Sequence, residues 1–187
     1  MISFIQSAFV VILLVNFASL VNAIENIQDN LNPTSNPSIK NETFTDNAIH
    51  TMNEINKFRG WHGVSNLTKN YDISEVVKRV LHEQDRKKNV QFLYFTNSHL
   101  FMGQLQTKSF VSKIVYEWYF GCRQFYDFKN PHLSYENRPF AAIVYKNADK
   151  IGCTEINARG GIYLGCGIHM NDNFDKDFKD NILPIKN

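Results

Sequence analysis

The side chains able to do chemistry are few and scattered along the chain. There are three Cys and six His in 187 residues. Cys122, with one of the histidines as base, is a candidate nucleophile. No local catalytic signature surrounds it, and its place on a helix reads as packing. His62 follows Trp61 and stands beside Gly63. A ligand role there needs a second His or a carboxylate at metal spacing, and none has it, so His62 reads as closing the first helix. His132 and His169 read as surface residues of a loop and a strand end. Asp172, Asp175 and Asp177 bring carboxylates together but lack the Gly and Glu that complete a calcium loop, and read as a solvated acidic tail. Arg86-Lys87-Lys88 beside Phe92, Tyr94 and Phe95 puts cations next to aromatics, as a nucleic-acid surface does. A solvated helix end followed by a core strand accounts for that run better.

Composition narrows the function classes. The chain is 43% hydrophobic and 20% charged, with a formal net charge of +2. That is ample for a core and argues against wholesale disorder. The weak charge gives no footprint for nucleic acid. Three Cys are too few for a disulfide-dense miniprotein and lack the spacing of a structural zinc site.

The first 23 residues read as a signal peptide. Ile5 to Leu20 is almost purely apolar, Glu25 is the first charged side chain, and Val21-Asn22-Ala23 presents small residues where signal peptidase needs them. The apolar run is shorter than the roughly 20 residues a span requires. No later run is long enough to cross a bilayer, so the expectation is a secreted, extracellular protein with no membrane span after cleavage. Asn41 and Asn66 open Asn-x-Thr sequons consistent with that route.

Residues 24–46 are rich in Asn, Ser and Thr without apolar period and read as a disordered arm. Ile49, Met52, Ile55 and Phe58 then recur at helical spacing until Gly60 and Gly63. Asp72-Ile73-Ser74-Glu75 resembles a capping box, followed by an apolar stripe of Ile73, Val76, Val77, Val80 and Leu81. Val111, Ile114, Val115, Trp118 and Tyr119 predict a third helix over 109–124. Strands are expected at 91–96, 139–146, 150–156 and 161–170. The segment 175–187 reads as a polar C-terminal tail.

The last two strands fix a cysteine geometry. With a turn at Arg159-Gly160, Cys153 and Cys166 fall directly opposite one another. Opposed Cβ atoms lie about 4.5–5.5 Å apart, within reach of a bridge. Two buried thiols are the alternative; in a secretory chain the bridge is expected. Cys122 remains as a free thiol, either buried or available for pairing between chains.

Three segments resemble the CAP superfamily, the SCP-domain proteins that include cysteine-rich secretory proteins, venom allergens and pathogenesis-related proteins. Asn53 to Leu67 is similar to the family's first helix, with its Asn-x-x-Arg run and His-Gly. Val115-Tyr116-Glu117-Trp118-Tyr119, then Tyr126-Asp127-Phe128-Lys129-Asn130-Pro131, resembles its Trp-Tyr helix and Tyr-Asp-Phe-x-Asn-Pro exit. Pro139-Phe140-Ala141-Ala142-Ile143-Val144-Tyr145-Lys146 to Ile151-Gly152-Cys153 resembles its signature strand and Leu-Gly-Cys turn. The match covers about residues 47–174. It implies an α+β fold, a three-layer α-β-α sandwich with an antiparallel sheet between helices.

The family's cleft holds two His and two Glu that sometimes bind a divalent metal. Here the matching positions carry other chemistry. Gln104 stands for one Glu, Gly121 for the other and Pro139 for one His. The remaining His falls on Asn97, with Ser98 and His99 as alternatives. The helix exit has one residue more than the family pattern, so its register is free to slip by one. The reading is therefore a non-catalytic binding module needing no cofactor, its partners a lipid or sterol or an extracellular or host protein. A degenerate copy from a lineage with expanded families, such as parasitic worms, suits the Asn- and Lys-rich composition. The alternatives are a hydrolase using Cys122 or a rebuilt His site, and a disulfide-linked oligomer.

Overall fold

The computed structural model describes residues 43–186 other than 97. The helix of Asp46–Trp61, α1, starts at Thr45, whose side chain accepts from the Ala48 amide. It buries Ala48, Met52, Ile55 and Phe58. Helix α2, Tyr71–Arg86, begins one residue before the expected Asp72, because Asn70 is the cap: its side chain accepts from the Ile73 amide. Lys88, in the left-handed region at φ 58°, ends that turn.

Five strands follow the spatial order β1-β4-β5-β3-β2. They are β1 (Thr68–Lys69), β2 (Gln91–Phe95), β3 (His99–Gln106), β4 (Ala148–Ala158) and β5 (Gly161–Met170). The pairings β2–β3, β3–β5 and β4–β5 are antiparallel, as expected; only the two-residue edge β1 runs parallel to β4. The run from 90 to 104 thus resolves into a hairpin, with β2 inside the expected 91–96. The β4–β5 register places Cys153 opposite Cys166, and a disulfide joins them.

Two apolar cores cover the two faces of the sheet. On one, α2 packs Ile73, Val77 and Leu81 against Phe92, Phe101, Ile156 and Tyr163. Its approach is set by glycines: a Cβ on Gly152 would lie 2.4 Å from the Ser74 amide nitrogen, and one on Gly167 would lie 2.7 Å from Ile73. The other face carries α1 and the remaining helices over Leu100, Met102, Leu164, Cys166 and Ile168. The fold is therefore α+β, an α-β-α sandwich.

Three expected elements differ. The segment 139–146 is a helix, α4 (Arg138–Val144), instead of a strand. Every residue from Pro139 to Val144 is buried, so no polar period marks the helix, and an apolar run this short reads equally as a buried strand. Proline fits its first turn. The third helix starts at Val111 and is composite: a 3-10 turn (Val111–Lys113), the short α3 (Ile114–Tyr116) and a π turn (Glu117–Gly121). The polar tail from 175 is part of the fold. Helix α5 (Phe174–Asn181), capped by Asn173, buries Phe174 and Phe178, and Ile182 bridges to Tyr145.

The predicted signal peptide, most of the Asn-rich arm, Asn41 and Asn97 lie outside the described residues. Among those described, no helix is long and apolar enough to cross a membrane.

Candidate functional site

The motif residues of α1 turn out to be structural. Arg59 is wholly buried and pairs with carbonyls alone. Its Nε donates to Ser65 at 2.7 Å, Nη1 to Ile143 and Tyr145 at 2.9 and 2.8 Å, and Nη2 to Ala148 at 3.3 Å. It thereby ties the C-terminal end of α4 and the start of β4 to α1. Burial draws its pKa down to about 10, so it stays charged at neutral pH. Asn56 exchanges two hydrogen bonds with the Leu67 backbone, as one strand residue does with another. His62, also buried, reaches the Leu183 carbonyl through Nδ1 and the Tyr119 hydroxyl, 2.8 Å away, through Nε2. A carbonyl only accepts, so Nδ1 carries the proton and Nε2 accepts from Tyr119. The expected closure of the first helix by His62 is this bridge.

Gln104 lies on β3 and Gly121 ends the π turn. Gln104 Nε2 donates to Glu117 Oε2 at 2.7 Å. A carboxylate therefore does reach this position, but from the residue before Trp118 instead of three beyond it. Sequence reasoning missed Glu117. The available signal was the extra residue at the helix exit, which the π turn absorbs. Gly121 has open space where a Cβ would stand, so packing does not require glycine there.

His99 lies apart from Gln104. It sits five residues from Gln104 on the same strand, roughly 17 Å at 3.4 Å per residue. An odd separation also puts it on the opposite face. There its ring stacks on Phe101 and faces His169, with centroids 4.8 Å apart, while Ser98 Oγ lies 2.9 Å from Nδ1. His169 in turn pairs with Asp149 at 2.5 Å, so it is a member of this cluster and not a bare strand-end residue. Burial, then the His169 charge, then Lys150 against the opposing pull of Asp149, bring His99 down to about 4.

Pro139 and Cys122, the neighbour of Gly121, line a hollow of about 220 Å³ with Leu93, Met102, Trp118 and Phe125. Tyr135 and Glu136 stand at its rim. Asn137 holds that rim: buried, it donates to the carbonyls of Phe125 and His132 and accepts from the Ser134 amide. Burial pushes the Cys122 thiol up to about 11, so it is a thiol at neutral pH, and none of the histidine contacts reaches it.

The residues at the positions that the resemblance assigns to the cleft do not fit a divalent metal. Proline and glycine offer no ligand, an amide is a poor one, and Glu117 is a single carboxylate. Among the described residues no three His, Cys, Asp or Glu are arranged to hold one. Asp172, Asp175 and Asp177 have separate partners. Asp172 accepts from Tyr145 and Asn147, Asp175 pairs with Arg138, and Asp177 accepts from the Asn173 amide.

No protein-family profile matches the chain, and no curated protein matches its sequence. Solved structures do match. Venom allergen-like protein 4 of Schistosoma mansoni superposes with a TM-score of 0.54, covering 77% of this chain and 97% of its own, at 12% identity. A hookworm platelet inhibitor covers 69% of this chain and 71% of its own, with a TM-score of 0.49 and 11% identity. The likeness to the schistosome protein shows that the α-β-α sandwich is the venom allergen-like fold, the architecture that the CAP resemblance implies.

Proposed function

We propose that this chain, folded as a venom allergen-like domain, is a secreted, non-catalytic binding protein that receives an apolar group in its cleft. The observation that carries this reading is the mainly apolar lining of the 220 Å³ hollow: Leu93, Met102, Trp118, Phe125 and Pro139, with Cys122 held as a neutral thiol and no hydrogen bond pairing it with Glu136. The volume selects among ligands. Sites that enclose a small molecule run from about 300 to 1,000 Å³. This one takes a single large side chain or the end of an acyl chain, not a whole sterol.

The rim favours a protein. Phe125 and Tyr135 are exposed beside the hollow, and aromatic anchors around a pocket are the chemistry of interface hot spots. An extracellular or host protein inserting an apolar side chain is the first reading; a lipid chain end is the second. Secretion is supported by the apolar N-terminus ending at Ala23, by a disulfide between central strands and by the exposed Asn66 sequon. The raised Cys122 pKa and its lack of a histidine partner argue against a thiol hydrolase.

Native mass spectrometry of the full-length protein secreted from eukaryotic cells tests this. A co-purified mass released by organic solvent makes a lipid the ligand. A bare monomer makes a protein the ligand, and capture with wild type against Leu93→Trp, which fills the hollow, then identifies it. Hydrolysis of ester or peptide substrates that is lost in Cys122→Ser overturns the proposal.

A further inference from the structure

We propose that a second hollow, between Phe120 and Phe128, binds an oxyanion carried on a flat apolar body, held by Arg123 and Tyr126. It measures about 330 Å³ and is lined by Phe120, Arg123, Gln124, Tyr126 and Phe128. Cys122 and Phe125, from the same segment, line the apolar cleft instead. The two hollows are thus separately lined, and this inference does not depend on the function proposed above.

Two donors on these residues are orphaned. Tyr126 is 6% exposed, and its hydroxyl is buried with no hydrogen-bond partner. Arg123 Nε is likewise buried and unpartnered. Buried polar groups without partners are few in native proteins, and each asks for a cause. Here the two belong to residues that line one hollow.

The other arginines with buried parts show what is missing. Arg59 satisfies its guanidinium on four carbonyls. Arg138 pairs with Asp175 and lies 4.1 Å over the Phe95 ring. The Arg123 guanidinium has no ion pair among the described residues, and its Nε has no hydrogen-bond partner. Asp127, the nearest carboxylate in sequence, already accepts from the Lys129 amide and the Asn130 side chain. Gln124 gives its amide hydrogen to the Gly121 carbonyl. The charge on Arg123 is accordingly felt at two neighbours: it adds to burial in lowering His62, and it opposes the rise that burial causes at Tyr119.

Chemistry then names the guest. A guanidinium has no acceptor, and the Tyr126 hydroxyl lacks one to donate to. The one side-chain acceptor in the lining besides the hydroxyl itself is the Gln124 carbonyl oxygen, which is neutral and bonds neither donor, so the site lacks negative charge. A carboxylate, phosphate or sulfate supplies both acceptors and that charge, and a guanidinium binds such groups through paired donors. Water would satisfy the donors but leave the charge. The phenyl walls of Phe120 and Phe128 add flat apolar surface for the body that carries the anion.

Calorimetric titration of the full-length protein tests this with benzoate and phenyl phosphate, against inorganic phosphate and neutral benzyl alcohol. Both aromatic anions should bind saturably and more weakly as salt rises; benzyl alcohol should not bind. Arg123→Gln should weaken them at least about tenfold, the loss of one charge-assisted contact. Tyr126→Phe should weaken them about threefold or more and leave the unliganded Tm unchanged or higher, because it deletes a hydroxyl with no partner at rest. That pairing of weaker binding with undiminished stability separates a ligand site from a structural role. No saturable binding of any anion overturns the proposal, as does Arg123→Gln binding like wild type. A lower Tm in Tyr126→Phe removes Tyr126 from the site. Inorganic phosphate binding as tightly as phenyl phosphate refutes the flat apolar body.

Discussion

Replacing Arg59 with methionine keeps an unbranched apolar stem, two atoms shorter, and removes the charge and every donor. Three of its four acceptors, the carbonyls of Ile143, Tyr145 and Ala148, belong to buried residues. Two are at the C-terminal end of α4, whose last carbonyls have no intrahelical partner. The Tyr145 carbonyl keeps the Ala148 amide at 3.3 Å, so the loss falls mainly on the Ile143 and Ala148 carbonyls; each buried acceptor left unpaired costs about 1–3 kcal/mol. Against this, methionine removes a guanidinium that is desolvated with no carboxylate beside it, which relieves part of the cost. The balance is a loss of roughly 3–5 kcal/mol, a large share of the 5–15 kcal/mol of a typical domain. At about 2–4 °C per kcal/mol for a chain of this size, Tm should fall by on the order of 10 °C. Arg59→Lys keeps the charge but loses the planar fork, and should fall between. Urea unfolding followed by tryptophan fluorescence measures it, with the m-value held constant as a check on two-state behaviour. A loss under about 1 kcal/mol in Arg59→Met would show that the carbonyls find water or each other, and would refute the reading of Arg59 as the tie between α1, α4 and β4.

Stability should also fall in acid. His99 in the folded chain titrates near 4 and its ordinary value is about 6.5, so the unfolded chain takes up the proton first. Its contribution is complete above pH 6.5 and is lost as pH drops towards 4. Unfolding at pH 7.5 and pH 5 should differ by about 1–2 kcal/mol, with His62 adding in the same direction, and His99→Gln should flatten the difference; a wild-type profile that is already flat contradicts the assignment. Removing the Cys153–Cys166 bridge, which closes a 13-residue separation, should cost about 3 kcal/mol in Cys153→Ala/Cys166→Ala under the same urea assay. Cys122 should react with a disulfide reagent at pH 7.4 at least about tenfold more slowly than in urea, since burial holds its pKa near 11. The protein should also run as a monomer on a non-reducing gel; a covalent dimer would reinstate the disulfide-linked oligomer.

What was legible in the sequence had a period or a register. The stripes of α1 and α2 show their faces, and the β4–β5 turn at Arg159-Gly160 places Cys153 against Cys166 without further help. What was not legible lacked both. Helix α4 is apolar on every side, so its period is hidden. Helix α5 puts only Phe174 and Phe178 among charged residues, too sparse a stripe to separate from a tail. At the position of Gln104, the resemblance passes over Glu117, because a π turn changes which residue faces β3. Asn137 was missed for a different reason: its three bonds run to the backbone of its own loop, and no residue type or spacing announces them.

The bridge between β4 and β5 has a consequence in time. Both its cysteines are wholly inaccessible, flanked by paired strands and covered by helices. A reducing thiolate must travel in line to a sulfur, and in the closed sandwich it has no path. The bond can then be cut only during the intervals when the central strands part. Its lifetime under a mild reductant is a clock for those openings, with no label attached, and a bound ligand that slows the openings would slow the clock in proportion.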